Sequence, residues 1–138
     1  MRQTVRTITK GTFKRYGWVI EYPDKALQPR SKTFFTVILR EKKKVGWRIG
    51  YLLQRDRRLR RLEQHPDSFE TFEPVAGKTL LYVSDRKDKK RIVCFRLDRP
   101  IILKKGIWHD VVTLGRESEI KICENSEVQC RYWPLSGV

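Results

Sequence analysis

The strongest constraint on how this chain folds is the regular return of its turn signals. Segments rich in aromatic and β-branched residues recur at roughly ten-residue spacing, separated by Gly, Pro, Asp or clustered Lys and Arg. No long helical period interrupts them. Such a rhythm predicts an all-β sandwich or barrel, opened by a short N-terminal helix or turn.

Taken in order, Phe13 and Tyr16 stand three apart and suit one helical turn, Gly17 breaks it, and Trp18 to Tyr22 favour a strand. Pro23 to Lys32, with two prolines, reads as a loop. Phe34 to Arg40 and Val45 to Leu53 are predicted as antiparallel strands joined by the hairpin connection Glu41 to Gly46. Leu59 to His65 favours a strand, Pro66 to Ser68 interrupt it, and Phe69 to Phe72 resume it before a turn at Pro74 to Gly77. Further strands are expected at Leu80 to Ser84, Arg91 to Leu97, Ile101 to Leu103, Ile107 to Leu114, Glu119 to Glu124 and Val128 to Trp133, with turns at Arg86 to Lys90 and Lys104 to Gly106. There is no internal repeat. A chain of 138 residues fits one domain, 1–138.

The net charge of +15 raises the possibility of a nucleic-acid partner, because Lys and Arg replace the counterions condensed on phosphates. The charge is concentrated at Lys42 to Lys44, Arg55 to Arg61 and Arg86 to Arg91. All three stretches fall at expected turns or strand ends, where a solvated surface is the ordinary reading. Nucleic acid is therefore a possible partner but not the favoured one. No apolar run reaches the roughly 20 residues a membrane span needs, and the opening residues lack the apolar segment of a signal peptide, so no membrane partner and a cytoplasmic location are expected. Cys94, Cys123 and Cys130 are odd in number and show no CxxC spacing, which speaks against both a disulfide framework and structural zinc.

One stretch carries chemistry. In Glu63-Gln64-His65 the two titratable residues are two apart and share a face of an extended strand; Glu70 follows, and Gly77 lets the chain turn. Downstream, Gly106-Ile107-Trp108-His109 offers a second imidazole after a turn glycine. Glu63, His65, Glu70 and His109 together supply two nitrogen and two oxygen donors for a divalent metal, a set that suits Ni, Zn, Mn or Fe.

The spacing Glu63-x-His65-(x)4-Glu70-(x)6-Gly77 is similar to the first motif of cupin barrels, with Glu63 where the common pattern has His. Gly106-x-x-His109 resembles the end of the second motif, with Lys104 at the expected proline and Thr113 at the later asparagine. Read together, Phe13-x-x-Tyr16-Gly17-x-Val19-Ile20-Glu21, Leu62-Glu63-x-His65-Pro66, Phe72-x-Pro74-x-x-Gly77 and Trp108-His109 resemble the ureidoglycolate lyase family. The resemblance covers residues 12 to 22 and 60 to 114. It implies a cupin-like β-barrel (a double-stranded β-helix, or jelly roll), a homodimer, and metal-assisted cleavage of ureidoglycolate to glyoxylate and urea, a step of allantoin degradation in purine catabolism.

On that reading the substrate is a small anionic hydroxy acid, His65 and His109 are the first ligands, and Glu70 and Glu63 serve as ligands or in catalytic proton transfer. Arg48 and Trp108 are the candidates for holding substrate, although Trp47, Trp108 and Trp133 also read as core or interface aromatics. The competing readings are a basic β-barrel that binds nucleic acid or another polyanion without catalysis, and a cupin that acts on or senses a different small acid. Glu63, just after an Arg run, also has an ordinary reading as the partner of Arg60 or Arg61, and Glu70 as a surface strand residue.

Overall fold

The computed structural model describes residues 3–22 and 24–135. Two sheets pack face to face, formed by β1 (Val5–Thr7), β2 (Gly17–Val19), β3 (Trp47–Gln54), β4 (Arg61–Gln64), β5 (Glu70–Ala76), β6 (Thr79–Ser84), β7 (Val93–Arg96), β8 (Ile101–Leu103), β9 (Trp108–Thr113), β10 (Ser118–Asn125) and β11 (Arg131–Pro134). The first sheet has the order β1-β7-β6-β9-β4-β11 and the second β2-β8-β5-β10-β3. Period-2 alternation decides what each strand contributes to the interior. On β9, for example, Val111 enters the inter-sheet core with Leu81, Phe95, Ile101 and Ile120, whereas Val112 joins a cluster with Leu80 and Cys94.

The one α-helix among the described residues, α1 (Lys10–Phe13), packs beside β2. Thr9 caps it: its hydroxyl accepts from the Thr12 amide while its own amide donates to the Thr12 hydroxyl. This places Phe13 against Phe95 and Tyr16 in edge and tilted ring contacts. The expected short helix is present, three residues earlier than the Phe13–Tyr16 spacing indicated.

Two expectations about strands are corrected. Phe34 to Arg40 forms no strand, and β3 pairs along its whole length with β10 instead. The apolar residues of 34–40 lie against neighbours outside any ladder: Phe34 meets the Tyr22 ring, and Val37 and Ile38 line a depression with Trp18 and Val19. Strand composition marks what packs on a sheet as readily as what belongs to it. The second correction is at Pro74, which sits inside β5 rather than in a turn. It lies opposite a register shift at Glu119/Ile120 of β10, where a missing N–H is tolerated. The turn falls at Gly77 alone, where φ is 81° and an added Cβ would stand 2.3 Å from the Glu117 carbonyl oxygen. The expected loop from Pro23 begins on a residue outside those described and contains a 3-10 turn at Lys25–Leu27.

β3 lies at the edge of its sheet, and no strand pairs with its other side among the described residues. Its outward residues, Trp47, Ile49, Tyr51 and Leu53, are all exposed. Among the described residues, no helix is long and apolar enough to cross a membrane.

Candidate metal centre

Four side chains from both sheets meet inside the barrel. Glu63 on β4 is paired in register with His109 on β9, so the two side chains project inward side by side. His65, just past β4, shares Glu63's face. Glu70 opens β5 on the facing sheet. One donor atom from each of these four residues lies within 4.8 Å of every other. Donors across a first-row divalent ion stand about 4 Å apart, so the quartet is of the right size.

The loop that delivers His109 is tied to His65. Gly106, at a φ of 83°, donates its amide to the His65 carbonyl, and the Gln64 side chain donates to the Gly106 carbonyl. Each imidazole is also oriented from behind. His109 Nδ1 is 2.9 Å from the Ile107 carbonyl oxygen, and His65 Nδ1 is 3.3 Å from that of Gln129. A carbonyl only accepts, so Nδ1 carries the proton and Nε2 of both rings turns a lone pair inward.

Those lone pairs face carboxylate oxygens. His65 Nε2 stands 2.7 Å from Glu70 Oε2 and 3.7 Å from Glu63 Oε1, while His109 Nε2 is 3.4 Å from Glu70 Oε1 and 3.6 Å from Glu63 Oε1. Despite this closeness, Glu70 Oε2 and His109 Nε2 are buried without a directed hydrogen bond. Four inward donors with no donor hydrogen between them need a cation or added protons. Two carboxylates and two neutral imidazoles match the charge and softness of a divalent metal.

Protons fill that need when metal is absent. Burial works against charge on both rings, but the two carboxylates prevail and push His65 up to about 11 and His109 up to about 10. Burial would likewise raise Glu63, but His109 and His65 outweigh it and hold the carboxyl down to about 2. Glu70, buried between the same two rings, is held well below the usual carboxylate range.

The structure also supplies neighbours that the sequence reading missed. Glu124 on β10 is aligned with Glu70 on one side and Arg48 on the other. Its Oε1 is 4.0 Å from His65 Nε2, and burial together with Glu70 raises its pKa. No sequence motif marks Glu124; only the ladder register finds it. Arg48 therefore reaches the edge of the site, but its guanidinium is committed to Glu124 at 2.9 Å rather than free for a substrate.

Trp108 does not face the quartet. It points to the opposite side of β9 from His109, in a cluster with Leu62 and Trp133, whose ring it meets edge-on at 5.8 Å. Of the four donor residues, Glu63 lines an adjoining cavity of about 470 Å3, shared with Arg58, Arg60, Arg61, Asp56 and Asp110. Arg60 is paired with Asp56 there, and Arg61 lies over the Tyr132 ring.

No family sequence model matches the chain, and no curated protein matches it. Solved structures do. A dTDP sugar isomerase from Desulfovibrio desulfuricans G20 superposes with a TM-score of 0.57 at 14% identity, over 88% of this chain and 84% of that one. Bacillus subtilis oxalate decarboxylase (an S161A variant) matches with a TM-score of 0.49 at 15% identity, over 66% of this chain. RmlC from Streptococcus suis, in complex with dTDP-D-xylose, matches with a TM-score of 0.48 at 15% identity, over 59%. The chain spans only 24% of the decarboxylase and 45% of RmlC. These are likenesses of fold: the all-β barrel is a cupin fold.

Proposed function

We propose that this chain is a metal-dependent cupin enzyme acting on a small anionic hydroxy acid, and that the reaction is cleavage of ureidoglycolate to glyoxylate and urea. The supporting observation is the convergence of Glu63, His65, Glu70 and His109, with both imidazole Nε2 atoms turned inward by backbone carbonyls. A divalent ion held by these residues supplies Lewis acidity that lowers the pKa of a substrate hydroxyl.

The remaining work falls to the chain's own groups. His65 and His109 serve as neutral donors, and Glu70, fully enclosed, serves as a fixed anionic one. Glu63 borders the cavity, so it is the quartet's carboxylate within reach of a bound substrate. In the reaction the hydroxyl loses its proton, the electron pair left on oxygen forms the aldehyde carbonyl of glyoxylate, and the bond from that carbon to nitrogen breaks. The departing nitrogen takes up a proton, giving urea. Glu63 is placed to accept the first proton and return it to nitrogen. Arg61, on the same cavity wall, is a better candidate than Arg48 for holding the substrate carboxylate, because Glu124 already neutralises Arg48. The homodimer implied by the family resemblance is assigned to the open, apolar side of β3.

The test is metal analysis of purified protein together with urea release, comparing wild type with His65→Ala. Loss of both metal and turnover supports the site, with metal affinity falling by more than about 100-fold. Retention of both removes it. Metal bound by wild type without urea release transfers the site to another reaction of small acids.

A further inference from the structure

A second, larger cavity of about 680 Å3 lies apart from the metal centre; none of the quartet lines it. Its volume is within the range of small-molecule sites, about 300–1,000 Å3. Six cationic side chains converge on it from separate stretches of chain: Arg6 from β1, Lys14 and Arg15 after α1, Lys90 and Arg91 from the 3-10 turn Lys89–Arg91, and Lys104 from the turn after β8.

Three of these are held in place. Arg91 makes a two-pronged contact with Asp85, its Nε donating to Oδ1 at 2.9 Å and an Nη donating to Oδ2. Arg15 reaches the same carboxylate at 3.4 Å. The Lys104 ammonium donates to the Lys14 carbonyl at 2.8 Å. By contrast, Arg6, Lys14 and Lys90 form no side-chain ion pair among the described residues. Among the described residues, Asp85 is therefore the one carboxylate paired with any of the six cations. Like charges gathered in one concavity repel each other, and part of that repulsion is relieved when a multivalent anion enters.

We propose that this cavity binds a compact anion bearing two or more linked phosphates. Guanidinium forks and ammonium groups together suit the many oxygens of such a group, and a single carboxylate would leave most of the charge unmet. The same chemistry could come from a free oligophosphate or from a nucleic-acid backbone, and two observations favour the free anion. The Arg55–Arg61 run does not extend this surface into a track: none of its arginines lines the cavity, and Arg55, Arg57 and Arg60 are engaged by Glu117, the Gly115 carbonyl and Asp56. The lining also lacks a stacking platform, because its one aromatic, Tyr16, is packed into the core.

The test is calorimetric titration of the whole protein with inorganic tripolyphosphate, orthophosphate and a twelve-residue oligothymidylate. It uses wild type, Arg6→Gln/Lys90→Gln, and the control Lys42→Gln/Lys43→Gln. All four substituted side chains are exposed, so folding is retained. Tripolyphosphate is expected to bind one per chain, at least about tenfold tighter than orthophosphate, and to weaken about tenfold in the cavity variant but not in the control. Equal weakening in both variants, or several tripolyphosphates per chain, reduces the effect to overall charge and overturns the site. An oligothymidylate that competes at equal affinity overturns the free-anion assignment. Metal content at His65 is read in the same samples and should not change, so failure here is distinguishable from failure of the metal centre.

Discussion

The metal quartet and the basic cavity both concentrate charge, but they are built in opposite senses. In the quartet, opposite charges are enclosed and both imidazoles are aimed by backbone carbonyls; in the cavity, like charges face water with one carboxylate beside them. The first is held together by its charges and the second is strained by them. Removing a charge should therefore destabilise one region and relieve the other.

The largest effect is expected from Glu70→Gln in metal-free protein. It leaves two buried imidazoles short of an anionic partner, and denaturant unfolding should show a loss of about 3–5 kcal/mol. A loss below about 1 kcal/mol would mean that the quartet is not an ion cluster in the metal-free state. An intermediate effect should appear as pH is varied. His65 and His109, raised to about 11 and about 10, contribute stability that is complete below the ordinary imidazole value of about 6.5 and is lost as pH rises through 10 to 11. Glu63, lowered to about 2, contributes stability that is present above about 4.5 and is lost as pH falls towards 2. Metal-free thermal stability should thus be greatest between about pH 4.5 and pH 6.5 and fall steadily from there to about pH 11. Bound metal displaces the imidazole protons, so metal addition near pH 7 should release protons to an indicator dye. The smallest effect is expected from Lys90→Gln in the basic cavity, which should raise the melting temperature by about 1 °C at low salt and by less when salt screens the repulsion. A decrease would show that Lys90 has an intramolecular role.

Most of the quartet was legible because its members are encoded locally. Glu63 and His65 share a strand face by period 2, and Gly106 with Trp108-His109 announces a turn followed by a strand. The same periodicity favours one of the two readings of Trp108, the core aromatic over the substrate contact. Being next to His109 in sequence puts it on the other side of the sheet, where it packs against Trp133. Glu124 was out of reach for a different reason: its nearness to Glu70 depends on the β5–β10 register across fifty-odd residues, which no local pattern records. Phe34 to Arg40 failed at a third level, since strand composition does not choose a partner: β3 pairs with β10 on one side, its other side stays open, and 34–40 packs outside any ladder.

The open side of β3 has a consequence for the protein as a solute. An unpaired backbone edge bordered by Trp47, Ile49, Tyr51 and Leu53 favours contact between copies, while a net charge of +15 keeps copies apart. At low ionic strength the long-range repulsion prevails; near 0.15 M, where screening sets in beyond about 8 Å, the short-range edge contact gains. Self-association should therefore rise with salt, whereas phosphate binding in the basic cavity should fall with it. Ionic strength then acts as a selector between a dispersed, anion-loaded chain and an associated one.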